Sequence, residues 1–209
     1  MVTIATYFHP VANLNEAEYR ATLRMFCDSW RPVGVMQFGI SSARQHPRFS
    51  ELSERLATYP EVTPPGYRDQ CFYRWLAFDQ RRIKGPLILM DYDVFPQRPI
   101  DLQWFADAFT EPTVLNGTNP CAVYLPDASF LSSIIDMLFW QTDPDKEDAG
   151  PHIGDNTIFH KQWSRIGNSV NIVSEYPSHE HNLIHFANRF CPRDKPKIIR
   201  DTMRSLHAK

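Results

Sequence analysis

An apolar run without alternation, Pro86 to Met90, limits the fold of this chain more than any other feature of its sequence. A strand with one face in water alternates polar and apolar residues, whereas a strand that is covered on both faces stays apolar throughout. The run is therefore predicted to be a central strand. Helical and strand-like patterns alternate through the first half of the chain, which favours an α/β fold with a mainly parallel, mixed sheet and helices on both faces.

The remaining elements are predicted from hydrophobic periodicity and from breaks at Pro and Gly. The first helix has a candidate N-cap in Asn15, with Glu18 in capping-box position. Apolar residues at helical spacing mark a helix that follows Asp127, and they are Leu131, Ile134, Ile135 and Leu138. The predicted strands are 2–8, 33–40, 86–90, 112–116, 120–125, 169–173 and 182–186, and the predicted helices are 13–30, 47–59, 67–84, 101–109, the helix after 127 and a short one from 155.

Length and composition narrow the class of protein. The chain has 209 residues, so 1–209 is predicted to be a single domain with a basic, peripheral C-terminal segment from about 190. The formal net charge of -2 gives no sign of a nucleic-acid partner. The apolar runs are too short to cross a bilayer, and no signal peptide is visible at the N-terminus. Four scattered cysteines are typical of reduced thiols, which fits a cytoplasmic protein.

Two carboxylates, Asp91 and Asp93, directly follow the predicted central strand. In mainly parallel sheets, ligands bind beyond the carboxyl ends of the strands. On extended backbone the two side chains point the same way with Tyr92 opposite, and carboxylates held this close repel unless a cation lies between them. Mg²⁺ and Mn²⁺ prefer oxygen ligands, and they are commonly bound by one or two carboxylates together with substrate phosphates. The pattern therefore predicts a metal site that also binds substrate phosphate, and the alternative is a polar turn at a strand end.

The segment YRWLAFDQRRIKGPLILMDYDVFP, residues 73–96, resembles the core of the GT-A glycosyltransferases. It is most similar to the glycogenin and lipopolysaccharide galactosyltransferase type. The resemblance implies a single-domain GT-A fold, a nucleotide-sugar as donor, and Mn²⁺ or Mg²⁺ as the metal. It also implies that Arg74 contacts the donor, that Asp91 lies near the ribose and the metal, and that Asp93 is the stronger metal ligand. Tyr92, between the two carboxylates, is placed with the donor-binding residues.

Three weaker matches follow in the order of the family. The segment LNGTN resembles a family segment that places Asn116 and Gly117 beside the donor sugar. The segment GDNTIF resembles one that places Asp155 and Asn156 at the sugar and the acceptor. The segment NLIHF resembles one whose histidine, here His185, is the third metal ligand. The resemblance thus implies Asp155, Asn156 and Asn116 as catalytic residues.

The chain departs from the family after His185. The family has a Gly and then Lys-Pro-Trp at short spacing, whereas this chain continues as HFANRFCPRDKPK. Either Arg189 or Lys195 is therefore expected to reach the diphosphate. Asn156 in place of the family's Gln leaves retention and inversion at the anomeric carbon both open. Tyr7, at the end of the first strand, is expected to contact the base.

The expected function is metal-dependent transfer of a sugar from a UDP-sugar to a hydroxyl of a carbohydrate, lipid-linked or protein acceptor. The loop 141–153 is expected to supply lid contacts. Two alternatives stay open: a haloacid-dehalogenase-like phosphatase, whose motif has Thr or Val where Phe95 stands, and a non-catalytic sugar- or nucleotide-binding protein of the same fold. A sugar-nucleotide pyrophosphorylase needs a Gly-rich loop after the first strand, and TYFHPVAN contains no Gly.

Overall fold

The computed structural model describes residues 2–10, 15–60, 65–79, 83–96, 101–115, 120–143, 145, 153–155, 171–172, 183–186 and 194–207. Its helices are α1 (Glu16–Ser29), α2 (Ile40–Ala43), α3 (Phe49–Ala57), α4 (Tyr67–Phe78), α5 (Gln103–Ala108), α6 (Phe130–Gln141) and α7 (Lys195–His207). Its strands are β1 (Thr3–Tyr7), β2 (Val35–Phe38), β3 (Leu87–Met90), β4 (Val94–Pro96), β5 (Thr113–Val114), β6 (Ala122–Leu125), β7 (Asn171–Ile172) and β8 (Leu183–His185).

Six strands form the central sheet in the order β2-β1-β3-β6-β5-β7. The pairs β1–β2, β1–β3 and β5–β7 are parallel, and β6 is antiparallel to both of its neighbours. Among the described strands of this sheet, β6 alone runs against the others, so the predicted mainly parallel, mixed sheet is confirmed. Because of this reversal, the start of β6 lies at the same edge of the sheet as the ends of β1 and β3.

The central strand β3 is covered on both faces, as its apolar sequence predicts. Leu87 and Leu89 face one hydrophobic core, and Ile88 and Met90 face the other. The exposed fraction of each of these side chains is at most 2%. Successive side chains of a strand point to opposite faces, so this one strand contributes to two separate cores.

The two cores are covered by different helices. The first core contains buried residues of α3, α4 and α6, including Trp75 and Leu138. The second core contains residues of α1, α5 and α7 and of the strands β4 and β8, including Phe26 and Ile199. Helices therefore lie on both faces of the sheet, as predicted. The C-terminal segment, which the sequence predicts to be peripheral, contains α7, which contacts α1; the division into domains stays a prediction.

The strands β4 and β8 form a separate two-stranded sheet. They pair antiparallel with Val94 opposite His185, and the backbone N–H of Phe186 donates to the carbonyl of Asp93 at 2.9 Å. The rings of Phe95 and Phe186 meet edge to face, with centroids 5.7 Å apart. An isolated two-stranded sheet is marginally stable in water, so this pairing depends on the second core. The pairing brings His185, from a late part of the chain, beside Asp93.

The ends of two helices show how far local sequence determines their length. At α1, the predicted N-cap is confirmed, because the side chain of Asn15 accepts a hydrogen bond from the backbone N–H of Ala17 at 3.2 Å. The helix α4 ends at Phe78, short of its predicted end. Gly85 then adopts a φ of +82° and Pro86 follows, and both features favour a turn into β3 over a continued helix.

Candidate metal centre

The chain turns at the carboxyl end of β3, and this turn carries the two carboxylates. The backbone N–H of Asp91 donates to the carbonyl of Cys121 at 2.7 Å, which extends the pairing of β3 with β6. The N–H of Val94 then donates to the carbonyl of Asp91 at 3.0 Å, which closes a β-turn. The expectation that Asp91 and Asp93 share one side of an extended strand is therefore wrong. The turn brings their carboxylates together instead.

Asp91, Asp93 and His185 form a cluster that can hold a metal ion. One ligand atom from each residue lies within 4.8 Å of the others. The side chains of Asp93 and His185 are nearly buried, whereas that of Asp91 keeps 31% of its surface exposed. Carboxylate oxygens are the ligands that Mg²⁺ and Mn²⁺ prefer, and an imidazole nitrogen suits transition metals.

The Oδ1 atom of Asp93 shows that the residues present fit a metal. This atom is buried and accepts no hydrogen bond from the described residues, and Nε2 of His185 lies 3.4 Å away. A buried carboxylate oxygen without a hydrogen bond is costly unless a cation completes its surroundings. A divalent metal beside Oδ1 would complete them.

A lysine from α7 also reaches Asp93. Nζ of Lys195 lies 2.5 Å from Oδ2 of Asp93, and the two side chains are 4% and 9% exposed. Lys195 is the first residue of α7, and Ile199, one turn further on, is buried in the second core. The helix therefore delivers a second cation, besides any metal, to the same carboxylate.

Arg74 is buried between two carboxylates. Its guanidinium donates to Oδ1 of Asp91 at 2.5 Å and also to Oδ2 of Asp155. The indole N–H of Trp75 donates to the same oxygen of Asp155 at 3.2 Å. The position of Arg74 opposite the apolar stripe of α4 is compatible with a solvated arginine, but only 11% of its side chain is exposed. Arg74 thus links the end of the central strand to the start of the segment after residue 153.

This ion pair compensates the charge of Asp91 only in part. Burial raises the pKa of the Asp91 carboxyl, and the charge of Arg74 opposes this without cancelling it. A divalent cation beside Asp91 would favour the ionised carboxylate and lower the pKa again. The Nε atom of Arg74 is also buried, with no hydrogen-bond partner among the described residues. Asp91 can therefore still bind a cation, and Nε of Arg74 can still donate a hydrogen bond to an acceptor group.

The charges around His185 determine its protonation. Burial lowers the pKa of the imidazole, but the neighbouring Asp93 and Cys121 outweigh burial and raise the pKa to about 11. Burial raises the pKa of Asp93, but His185 and Lys195 outweigh burial and hold that pKa below its usual range. At neutral pH the imidazole is therefore protonated in the metal-free protein, and a metal must displace this proton in order to bind.

Aromatic side chains lie beside the carboxylates. The ring of Tyr92 meets the rings of Phe8 and Tyr19 edge to face, with centroid distances of 5.4 Å and 6.1 Å. Tyr7, the predicted base contact, belongs to the first core, and its hydroxyl donates to Oε1 of Gln70 at 2.6 Å. The structure therefore brings Phe8, rather than Tyr7, into contact with Tyr92.

The predicted site residues fall into two groups. The structure brings together Arg74, Asp91, Tyr92, Asp93, Asp155, His185 and Lys195. Asn116, Gly117, Asn156 and Arg189 lie outside the described residues. Two unpredicted residues join the first group, Trp75 and Cys121. A buried indole N–H needs an acceptor, so Trp75 does carry a usable sequence signal. Cys121 meets Asp91 through its backbone carbonyl and His185 through its side chain, and no spacing in the sequence marks either contact.

Comparison with known proteins identifies the fold. No protein-family model and no curated protein matches this sequence. The galactosyltransferase LgtC, solved in complex with donor and acceptor sugar analogues, shares 11% sequence identity, and the match covers 98% of this chain and 96% of that chain with a TM-score of 0.50. An active-site mutant of LgtC matches at 10% identity with the same coverage and TM-score. A glycosyltransferase involved in the glycosylation of the major capsid of PBCV-1 shares 10% identity over 96% of this chain and 98% of that chain, with a TM-score of 0.48.

The fold of this chain is that of the GT-A glycosyltransferases, as the sequence resemblance implies. The similarity to LgtC extends over nearly the whole length of both chains. At such low sequence identity the likeness establishes the fold, and the chemistry of the site has to be argued from its own residues.

Proposed function

We propose that this chain is a metal-dependent glycosyltransferase that moves a sugar from a nucleotide-diphosphate donor, a UDP-sugar, to a hydroxyl of an acceptor. The observation that carries the proposal is the cluster of Asp91, Asp93 and His185 at the end of the central strand. The GT-A fold supports it, because ligands of such sheets bind beyond the carboxyl ends of the strands.

The residues around the cluster would each have a separate role. Asp91, Asp93 and His185 would hold Mn²⁺ or Mg²⁺. When bound, the metal supplies a Lewis acid that neutralises charge on the diphosphate. Arg74 holds the Asp91 carboxylate by its ion pair, and its buried Nε is a hydrogen-bond donor for the nucleotide-sugar. Lys195, which already reaches Asp93, supplies a positive charge for the diphosphate.

Asp155 is proposed to act at the transferred sugar. Its carboxylate accepts hydrogen bonds from both Arg74 and Trp75, so it would also hold the guanidinium in position. The remaining assignments stay proposals, and they are Asn116 and Asn156 at the sugar and the acceptor, Gly117 beside the sugar, Arg189 at the diphosphate, and Tyr7 and Tyr92 at the nucleoside.

The acceptor is proposed to be a carbohydrate, a lipid-linked molecule or a protein, and the location in the cell stays a prediction. Across the described residues, the helices are too short or too polar to pass through a bilayer.

The alternatives are less well supported. In a phosphatase, the first aspartate attacks phosphate, but here Asp91 is ion-paired with Arg74, and the solved structures named above are glycosyltransferases. A non-catalytic binding protein of the same fold has one observation in its favour. Both carboxylates, Asp91 and Asp93, already have a cationic side chain as partner. Binding and turnover experiments separate this candidate from an enzyme.

The first experiment measures thermal stability with UDP, GDP, CDP or ADP, each in the presence of Mn²⁺ or of EDTA. A ligand that binds only the folded state raises the free energy of unfolding by about 2.7 kcal/mol at a hundredfold excess over its dissociation constant. We expect a large rise in melting temperature with UDP and Mn²⁺ together and a small one with UDP and EDTA. Equal shifts in the two conditions would contradict a metal that bridges protein and diphosphate.

The second experiment measures release of UDP from a panel of UDP-sugars with Mn²⁺. Slow hydrolysis of one UDP-sugar, absent in Asp93→Asn, is the expected result for a transferase that is tested without its acceptor. Metal-dependent UDP binding without turnover of any nucleotide-sugar, even with mixed acceptors, would favour the non-catalytic binding protein.

A further inference from the structure

Lys195 binds one of the two oxygens of Asp93, and the other oxygen lies beside His185. Nζ of Lys195 lies 2.5 Å from Oδ2, whereas Oδ1 has Nε2 of His185 at 3.4 Å and accepts no hydrogen bond from the described residues. Oδ1 is therefore the atom that a metal would take. The ammonium does not block that position, but it lies on the same carboxylate.

An ammonium at this distance opposes the binding of a metal in two ways. It repels a dication at Oδ1, because two positive charges would share one carboxylate. It also stabilises the metal-free site, because a buried carboxylate without a counter-ion is costly. Water screens neither effect well, since the side chains of Lys195 and Asp93 are 4% and 9% exposed.

The helix α7 fixes the backbone of Lys195, whereas the four-carbon side chain of Lys195 has rotatable bonds that can redirect its ammonium group. Lys195 begins the helix, Pro196 follows it, and Ile199 is 1% exposed in the second core. A diphosphate bound beside the metal offers the ammonium more negative charge than one carboxylate does. The side chain can therefore leave Asp93 for the diphosphate without a movement of the helix.

We propose that Lys195 makes metal binding conditional on the nucleotide: it lowers the affinity of the site for the metal alone, and it transfers from Asp93 to the diphosphate when both ligands bind. This inference rests on the proposed function, since it takes Asp91, Asp93 and His185 as metal ligands and a nucleoside diphosphate as the second ligand. By linkage, the factor by which UDP raises the affinity for Mn²⁺ equals the factor by which Mn²⁺ raises the affinity for UDP.

The experiment measures the dissociation constant of Mn²⁺ by electron paramagnetic resonance, with and without saturating UDP, after correction for the Mn²⁺–UDP complex in solution. The wild type is expected to bind Mn²⁺ alone weakly and to bind it more than about tenfold more tightly with UDP. Lys195→Met is expected to bind Mn²⁺ alone about tenfold more tightly than the wild type, because no ammonium then repels the metal or competes with it for the Asp93 carboxylate. In that variant UDP should add less further affinity than in the wild type, because the metal still bridges protein and diphosphate but no ammonium has to leave Asp93.

Matched variants separate the ion pair from general effects of charge. Lys197 lies two positions further along α7 and is exposed, so Lys197→Met should retain the wild-type affinities and the wild-type effect of UDP. Circular dichroism establishes that each variant is folded. If Lys195→Met does not fold, Lys195→Gln replaces it with the same expectations, because its amide can still donate to Asp93 but carries no charge.

Each outcome bears on one of the two proposals. Equal Mn²⁺ affinities for the wild type and Lys195→Met, or weaker binding by the variant, would overturn the role of Lys195 and leave the proposed function standing. A wild type that binds no Mn²⁺ even with saturating UDP would instead remove the proposed function.

Discussion

Asp93 lies between two positively charged side chains, Lys195 and His185, and these contacts change the expected effect of replacing Asp93. From the sequence alone, two carboxylates one residue apart predict mutual repulsion, so Asn in place of one of them is expected to leave the fold intact. In the structure, burial raises the pKa of Asp93, but His185 and Lys195 outweigh burial and hold it below its usual range. The ionised carboxylate is therefore stabilised by the fold, and the fold is stabilised by the carboxylate.

We expect Asp93→Asn to lower the free energy of unfolding of the metal-free protein by about 3 kcal/mol at neutral pH, because a buried lysine loses its counter-ion. An aspartate with a lowered pKa stabilises the fold above its unfolded pKa of about 3.9, and this contribution is lost as the pH falls through the folded value. The difference from the wild type should therefore be complete above about pH 5 and should shrink below about pH 4.

Urea denaturation at several pH values measures this difference, and Asp145→Asn, at an exposed position, is the control. A variant as stable as the wild type at neutral pH would show that the contacts of Asp93 with Lys195 and His185 contribute nothing to folding.

His185 determines how metal binding depends on pH. Burial lowers its pKa, but Asp93 and Cys121 outweigh burial and raise the pKa to about 11. The protonated imidazole therefore stabilises the metal-free fold below its unfolded pKa of about 6.5, and this contribution is lost as the pH rises through the folded value. Only the neutral imidazole binds a metal, so the affinity for Mn²⁺ should rise about tenfold per pH unit between about pH 6 and pH 8.

Titration of Mn²⁺ at several pH values measures this slope. His185→Ala should weaken Mn²⁺ binding and should also make the affinity depend less steeply on pH. The same slope in His185→Ala would mean that another group releases the proton. A large loss of metal-free stability with unaltered Mn²⁺ affinity would mean that His185 is a core residue.

Among the elements, the local sequence predicts those that a single repeating pattern defines. The helix α6 buries the residues that its spacing predicts, and they are Leu131, Ile134, Ile135 and Leu138. The pairing of β4 with β8 is different, because each strand has three residues and the two lie far apart in the chain. No local hydrophobic pattern identifies such a pair of strands. Only the family resemblance therefore predicts from the sequence that His185 lies beside Asp91 and Asp93.

Phe186 supports this pairing from the residue after β8. It is 4% exposed, and its ring packs on Phe95. We expect Phe186→Ala to lower the free energy of unfolding by about 3 to 5 kcal/mol through the cavity it leaves. It should also weaken Mn²⁺ binding, because the neighbouring His185 loses its support. Phe186→Leu should cost about 1 kcal/mol and bind Mn²⁺ nearly as the wild type does.

Urea denaturation and Mn²⁺ titration on these two variants check both parts of the expectation. If Phe186→Ala retains the wild-type Mn²⁺ affinity, other contacts position His185.

For the whole molecule, the architecture follows from the sequence more fully than the site does. The unbroken apolar run of β3 predicts a strand between two layers, and the structure confirms it. The ion pair of Arg74 with Asp155 joins residues that are 81 positions apart, which no spacing rule identifies. Arg74 is covered by the end of β3 and by Asp155, which the fold brings together from distant parts of the chain. Contacts of this kind depend on tertiary structure, so the sequence could predict the residues but not the pairs.

Ile88 and Leu89 test whether the two cores act separately. They are neighbours in β3, both are buried, and they face opposite cores. Replacement of either by Ala should lower the free energy of unfolding by about 2 to 5 kcal/mol. Only Ile88 faces the core that holds β4, β8 and α7, so only Ile88→Ala should also weaken Mn²⁺ binding.

Urea denaturation and Mn²⁺ titration, at a temperature where both variants are folded, measure the two effects. Equal losses of Mn²⁺ affinity would show that the cores do not act independently.

The separation of Lys195 from Asp93, 102 residues along the chain, has a consequence for biosynthesis. Asp91 and Asp93 emerge from the ribosome early. Arg74, the partner of Asp91, precedes them, but Asp93 is present long before its partner Lys195 from α7 has been synthesised. The strand β4 likewise cannot pair until β8 has been synthesised. Pairing of strands that are far apart in sequence is slow, because the intervening chain must close as a loop. A nascent chain of this protein therefore has an incomplete metal centre until residue 185 has emerged, and a chain stalled before that point would expose its acidic turn to any free cation in its surroundings.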